Sequence, residues 1–345
     1  MSSNELVLVT GGTGFVASGV IHEYLSRGFK VRATARSQDK ADRWTEYNSQ
    51  TPNVKENLEW AIVKDVAADG AFDEAIKGVT ILAHTASPFH YNIEDVEKDM
   101  LIPALQGTRQ ALRAAQKTSS VKRVVVTSSF AAVLDFGRMG PETTFTHEDW
   151  NPVTYDEAKA MDPKKQAPQI YCASKTVAEQ EAWKIAKEPE TKFALSTICP
   201  PLVTGPPSQP IDSMDAINTS AGAVWSVVDA DKTPETSFPV WTDVRDIAKC
   251  HVNASLEEAA KGQRYLCIAG HFDNLQIANL GRQAFPDQAS RFPDDDSKAA
   301  PPHFSTDSSK AEKELKIEFM PFRKSVMDTL TELFAVEKRI KETQK

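Results

Sequence analysis

Leu6-Val7-Leu8-Val9-Thr10-Gly11-Gly12-Thr13-Gly14-Phe15-Val16-Ala17 is the stretch on which the fold turns. Its first five residues, branched and apolar, read as a strand, and the glycines after them read as a tight turn. Residues 14–27 then carry a helical pattern. A strand that runs through glycines into a helix gathers unpaired backbone N–H groups and the positive end of a helix dipole at one point, which suits a pyrophosphate. Gly11 and Gly14 permit the turn and a close approach of backbone to ligand. The third position of the dinucleotide fingerprint, where helix and strand pack, is Ala17, an accepted substitute for glycine. The expected phosphate-side residues are Gly11, Thr13, Gly14, Phe15 and Val16.

Outward from this turn the same alternation repeats. Apolar runs at 6–10, 31–35, 58–63, 79–83, 121–127 and 193–198 are separated by helix-like stretches at 14–27, 37–47, 69–77, 93–117 and 171–187. Strands rich in Val and Ile between such helices predict an α/β fold with a doubly wound parallel sheet of the Rossmann kind. After Cys199 the texture changes: Pro200–Pro239 carries prolines at 200, 201, 206, 207, 210, 234 and 239 and no regular alternation. The expected organisation is a nucleotide-binding domain over 1–199, to which 237–258 returns, and a smaller, discontinuous substrate-binding cap formed mainly by 200–345. Further helices are expected over 244–256, 276–285, 309–316 and 321–340, a strand over 264–269, and a surface segment over 287–306.

Composition narrows the classes. With 41% apolar and 26% charged residues in 345, the chain is not a disordered or collagen-like one. Forty basic against 48 acidic residues give a charge of -8, which disfavours nucleic acid and anionic lipid as partners. No apolar run approaches the roughly 18 residues of a membrane span. Cys172, Cys199, Cys250 and Cys267 form no CxxC pair, and the histidines show no ligand spacing, so no metal is expected. The strand pattern starts at once after Met1, which implies no signal peptide and a cytoplasmic protein. Nothing in the sequence fixes an oligomeric state.

Chemistry enters with Tyr171-Cys172-Ala173-Ser174-Lys175, which sets a phenol and an ammonium on one helix face. A neighbouring positive charge favours the phenolate, so the tyrosine can give a proton to a developing alkoxide near neutral pH. Tyr155-Asp156-Glu157-Ala158-Lys159 repeats the spacing, but in an acidic stretch followed closely by Pro163. Tyr171 is expected instead to open a long amphipathic helix directly before a strand, and Tyr171 and Lys175 are taken as the active pair. Arg123–Ser129 supplies a third participant at a strand end, with alternation placing Thr127 and Ser129 on one face and Ser128 on the other. Ser129 is the candidate, although strand-end hydroxyls more often only cap.

Assembled, these residues resemble the extended short-chain dehydrogenase/reductase family, and in it the branch of plant dihydroflavonol reductases and yeast NADPH-dependent carbonyl (methylglyoxal-type) reductases. The resemblance runs through Val9–Ala17, Thr34–Ser37, His84–Phe89, Thr127–Ser129, Tyr171–Lys175, Pro200–Pro206 and Asp243–Asp246. It implies Ser129 as the carbonyl-polarising hydroxyl, Tyr171 as the proton donor and Lys175 as the ribose-binding cation. It also implies Asp65 and Val66 at the adenine, Thr85 and Thr127 along the cofactor, Pro200 to Val203 at the carboxamide, and Ser220 as a further contact. The chain departs from many extended members in carrying Ala104, not Asn, three residues before Gly107-Thr108, which leaves the Asn part of their proton relay unfilled.

Cofactor choice is read at Arg36, where the second strand ends about twenty residues beyond the glycine turn. An acidic residue there would select NAD by bonding the ribose 2′-hydroxyl, whereas Arg36 with Lys40 one turn later suits a 2′-phosphate. NADPH is therefore the expected cofactor; Arg32 is the rival, earlier in the strand. Phe89, Phe130, Leu202, Met214 and Trp225 are expected to line an apolar substrate pocket, with Leu134 and Trp225 divided between pocket and core. The sequence thus predicts an NADPH-dependent reductase of ketones or aldehydes. An NAD-dependent nucleotide-sugar epimerase or dehydratase, and a non-catalytic NADP-sensing protein, are the alternatives.

Overall fold

The computed structural model describes residues 5–87, 93–294 and 303–343. In chain order, β1 (Leu6–Thr10), α1 (Phe15–Ser26), β2 (Lys30–Ala35), α2 (Gln38–Tyr47), the single turn α3 (Val54–Asn57) and β3 (Leu58–Ile62) form the first half. β4 (Ile81–His84), α4 (Ile102–Lys117) and β5 (Arg123–Thr127) follow. Next come β6 (Thr144–Phe145), α5 (Tyr155–Lys159), α6 (Pro163–Ala186) and β7 (Ala194–Cys199). The remainder holds β8 (Leu202–Thr204), α7 (Thr219–Trp225), β9 (Val240–Asp243), α8 (Val244–Leu256), β10 (Gln263–Leu266) and β11 (Gly270–His271). It ends with α9 (Asn274–Ala284), β12 (Ser305–Thr306), α10 (Ser309–Glu314) and α11 (Phe322–Thr343).

Seven strands form one parallel sheet in the order β10-β7-β5-β4-β1-β2-β3. Side-chain alternation sorts the two faces. Val7 and Val9 of β1 pack with residues of α1 and α8, whereas Leu8 packs with Leu82, Val124, Leu112 and Ile185 on the α4 and α6 side. Successive strand numbers part between β1 and β4, so a crevice opens there at the carboxyl ends of the strands.

Several expectations about elements need correction. Residues 69–77 are not a helix but a run of turns between Gly70 (φ +72°) and Gly78 (φ +77°), with only the Ile76 N–H to Phe72 carbonyl bond in helical register. Tyr171 does not open its helix. α6 begins at Pro163, where a missing N–H is no loss, and Asp162 caps it by accepting from the Lys164 N–H. The kink at Gln166 precedes Pro168, whose ring and absent donor disturb the turn behind it. The proline-rich span 200–239 is more regular than its composition suggested: it contains β8 and α7, and β8, β9 and β11 make a small second sheet. In the 287–306 stretch, residues 295–302 lie outside the described ones, and β12 pairs with β6. Among the described residues no helix is long and apolar enough to cross a membrane.

Candidate active site

The glycine turn is fastened on both sides. Gly11 adopts φ +67°, donates its N–H to Thr34 Oγ1 (2.9 Å), and would press a Cβ to 3.0 Å from the backbone of Ala86. Gly12 donates to the Thr34 carbonyl at 2.7 Å. A Cβ on it would lie 2.7 Å from that of Ala33 and 2.9 Å from the Trp60 ring. The crowded glycine is therefore Gly12, which the fingerprint reading left without a role. Gly14 caps α1 with no side-chain hydrogen bond, and the first turn contains no acidic residue. Phe15 and Val16 pack sideways against the cluster of Val244 and Ile247, and Thr13 is half-buried. The open donors at this helix start fit a phosphate.

At the end of β2, Arg36 is exposed and, among the described residues, forms no hydrogen bond or ion pair. Arg32 is engaged elsewhere: it binds Glu59 at 2.6 Å and the carbonyls of Ala75 and Lys77. Lys40 is exposed on α2, one turn beyond. This free guanidinium and the open glycine turn fit a phosphorylated dinucleotide. Asp65 accepts from the Ala67 N–H and Val66 packs against Gly107. The Pro200 carbonyl accepts from the Phe130 N–H at 2.8 Å, and the Val203 N–H donates to Ser220 Oγ at 3.2 Å, so those two residues brace each other.

β1 and β4 are tied at their carboxyl ends by Thr10. Its Oγ1 accepts from the N–H groups of Thr85 (3.1 Å) and Ala86 (3.0 Å) and lies 2.9 Å from His84 Nδ1. Thr85 Oγ1 donates back to the Thr10 carbonyl. On α6, buried Lys175 donates to Ser87 Oγ at 2.6 Å, and its ammonium lies 5.5 Å from the centre of the Tyr171 ring. Burial lowers the Lys175 pKa to about 8. Ser129 is placed by a turn, not by strand alternation, because β5 stops at Thr127. Thr127 Oγ1 bonds His251 Nε2 on the α8 side and Ser128 Oγ donates to Glu179 on the α6 side. Ser129 caps the single 3-10 turn Phe130–Ala132 and accepts from the Ala131 N–H at 3.1 Å.

The second tyrosine–lysine pair is occupied. Tyr155 donates to Glu97 Oε1 (2.8 Å) and Lys159 pairs with Glu97 Oε2 (2.7 Å). Burial, and then the Glu97 carboxylate, push the Tyr155 phenol up to about 12. The expected pocket residues are dispersed. Phe130 is fully buried among Phe145, Phe238 and Phe304, with Leu134 in the same cluster, so both are core. Leu202 and Trp225 pack in another cluster, the tryptophan 5.2 Å from Phe334. Met214 is half-buried on a short turn, and Phe89 lies outside the described residues. A surface groove along Trp150, Trp183, Lys184 and Arg264 shares no residue with the catalytic candidates. A small cavity does, and His84 lines it without having been assigned a role from sequence.

The sequence profile of the 3-beta hydroxysteroid dehydrogenase/isomerase family matches residues 8–268. The chain belongs to this family. It is thus an extended short-chain dehydrogenase/reductase, and an oxidoreductase. A putative NADPH-dependent methylglyoxal reductase of Candida albicans is 36% identical over 346 residues, covering 96% of this chain and 99% of its own. A putative uncharacterized oxidoreductase of Schizosaccharomyces pombe is 41% identical over 290 residues, covering 83% of this chain and 84% of its own. Among solved structures, yeast methylglyoxal/isovaleraldehyde reductase in complex with NADPH superposes with a TM-score of 0.87 at 33% identity, covering 97% of this chain and 100% of its own.

Proposed function

We propose that this oxidoreductase uses NADPH to reduce small aldehydes and ketones to alcohols, with Ser129, Tyr171 and Lys175 as its proton-donating set. The observation that carries the reading is the buried Lys175 ammonium, bonded to Ser87 and set against the Tyr171 ring at the carboxyl edge of the sheet. A cation there favours the phenolate and so makes Tyr171 a usable acid near neutral pH. Ser129 and Tyr171 hold the carbonyl oxygen, and Tyr171 delivers the proton as charge develops on that oxygen. Bound NADPH supplies the hydride. The glycine turn and α1 would hold its pyrophosphate, Arg36 and Lys40 its 2′-phosphate, and Asp65 and Val66 its adenine. Thr85, Thr127, Lys175, Pro200, Val203 and Ser220 would complete the site.

Residues 1–199 with the returning 237–258 segment form the cofactor half in this reading, and segments after 200 close over the substrate, with Met214 as a wall candidate. Support comes from the putative NADPH-dependent methylglyoxal reductase of Candida albicans and the NADPH complex of the yeast enzyme. Following NADPH absorbance over a panel of small aldehydes, diketones, aryl ketoesters, dihydroflavonols and one nucleotide sugar tests it. Turnover of a small carbonyl is expected. Conversion of the nucleotide sugar alone overturns the reading.

A further inference from the structure

His84 is 2% exposed, and among the described residues its Nε2 has no hydrogen-bond partner. The protonation of its ring follows from counting bonds at Thr10. The Thr10 hydroxyl already accepts from two backbone N–H groups, which fills both lone pairs, so its own proton points to His84 Nδ1. Nδ1 is then an acceptor, and the single proton of a neutral imidazole resides on Nε2. Burial, reinforced by the charge of Lys175, lowers the pKa of His84 to about 4, so the ring is neutral at working pH. The structure thus sets a buried N–H donor, without an acceptor among the described residues, in the wall of a cavity also lined by Ser87, Thr108, Thr127, Ser128 and Lys175. A donor left unsatisfied in the interior is destabilising, because it gives up its bond to water and gains none in return. The cavity has room for one water and the polar walls that a buried water requires.

We propose that this cavity is a binding site for one internal water, which accepts from His84 Nε2–H and from the Lys175 ammonium. His84 is then a positioning residue that sustains the charge on Lys175. The water's two lone pairs take the two N–H donors, and Thr108 offers an oxygen for one of its protons. No carboxylate in the site performs this task. The groups that share this cavity with Lys175 or lie against its ammonium are His84 on β4, Ser87 just after it, Thr108 on α4, Thr127 at the end of β5, Ser128 just after it, and Tyr171 and Glu179 on its own helix. Of these Glu179 is the one acid, and it is held by Arg264. The proposal rests on Lys175 serving the reaction proposed above, but its test reads the lysine whether or not the chain reduces carbonyls.

The experiment is a titration of lysine side chains by NMR on the free protein labelled at Cε, with Lys175 identified by the signal lost in Lys175→Arg. Wild-type Lys175 is expected to titrate near 8. His84→Phe fills the same volume without a donor, leaves the water unheld, and should lower that midpoint by about one pH unit or more. His84→Gln restores a donor at the reach of Nε2 and should return the midpoint to the wild-type value or above. A folded His84→Phe protein with an unchanged midpoint overturns the proposal, as does a His84→Gln protein that falls equally far. Should His84→Phe not fold, a wild-type crystal structure that resolves waters decides. Density bonded to both Nε2 and Nζ supports the site, and a cavity without it overturns the site.

Discussion

At the scale of single residues, one side chain carries the proposed cofactor selectivity, and it is marked by what it does not bind. Arg36 is exposed with no ion pair among the described residues, whereas Arg32, four residues earlier, is held by Glu59 and two carbonyls. A guanidinium without an internal partner at the end of β2 is available to a 2′-phosphate. Charge-assisted contacts contribute about 1.5–3 kcal/mol, so Arg36→Ala should weaken NADPH binding roughly ten- to a hundredfold and leave NADH binding almost unchanged. The ratio of kcat/KM for the two cofactors, in wild type and variant, measures this. A ratio that does not move, or a wild type that prefers NADH, contradicts the assignment. Arg36 could be singled out from sequence because it follows a fixed spacing from the glycines. His84 could not, because its importance lies in a hydroxyl from another strand and an unsatisfied nitrogen, neither of which leaves a periodic trace.

At the scale of elements, Glu179 and Arg264 join what the proposed chemistry needs kept together. Arg264 of β10 binds Glu179 of α6 at 2.8 Å, with the two side chains 8% and 1% exposed. Glu179 also accepts from Ser128, Thr197 and Trp183, and Arg264 reaches the carbonyls of Ala132, His147 and Asp149 while stacking 3.8 Å over Trp150. One buried pair therefore fixes the end of β5, the helix that bears Tyr171 and the 132–149 connection. Breaking such a pair from one side leaves a buried charge uncompensated, at about 3–5 kcal/mol. Arg264→Met should lower the free energy of unfolding in urea by that amount, and adding Glu179→Gln should recover a part of it. Equal stability of Arg264→Met and wild type would refute the account of this pair.

Element order was legible because β1, β2 and α8 have clean patterns. Strand and helix edges were less so, for reasons that reside in tertiary contacts. The 69–77 stretch has helical spacing, with Phe72, Ala75 and Ile76 buried, but the left-handed glycines at both ends close it into turns. Phe130 lies on a segment expected to converge on the cleft, but three phenylalanines from distant segments claim it for the core.

Across the whole molecule, proton binding couples the interior to pH. His84 and His251 are both buried, with pKa values lowered to about 4 and about 3 by desolvation, against 6.5 when unfolded. Between those values the unfolded chain binds protons that the folded one refuses. Their contribution is intact above about pH 6.5 and is lost as the pH falls, by about 1.4 kcal/mol per pH unit for each histidine. Urea midpoints taken from pH 7 to 4.5 should fall steadily, and His251→Asn should flatten the slope. A midpoint constant across that range would contradict buried neutral imidazoles.

The proposed reduction depends on Tyr171 as the acid, and the same spacing recurs at Tyr155 with its phenol held by Glu97. The most direct test is kcat for NADPH-dependent reduction of a small aldehyde by wild type, Tyr171→Phe and Tyr155→Phe, with NADPH affinity measured in parallel by fluorescence. Tyr171→Phe should lose about 10²- to 10⁴-fold in kcat while binding NADPH nearly as well, and Tyr155→Phe should keep most of its activity. A Tyr171→Phe enzyme that keeps half its activity, or a Tyr155→Phe enzyme that loses it, would contradict the account.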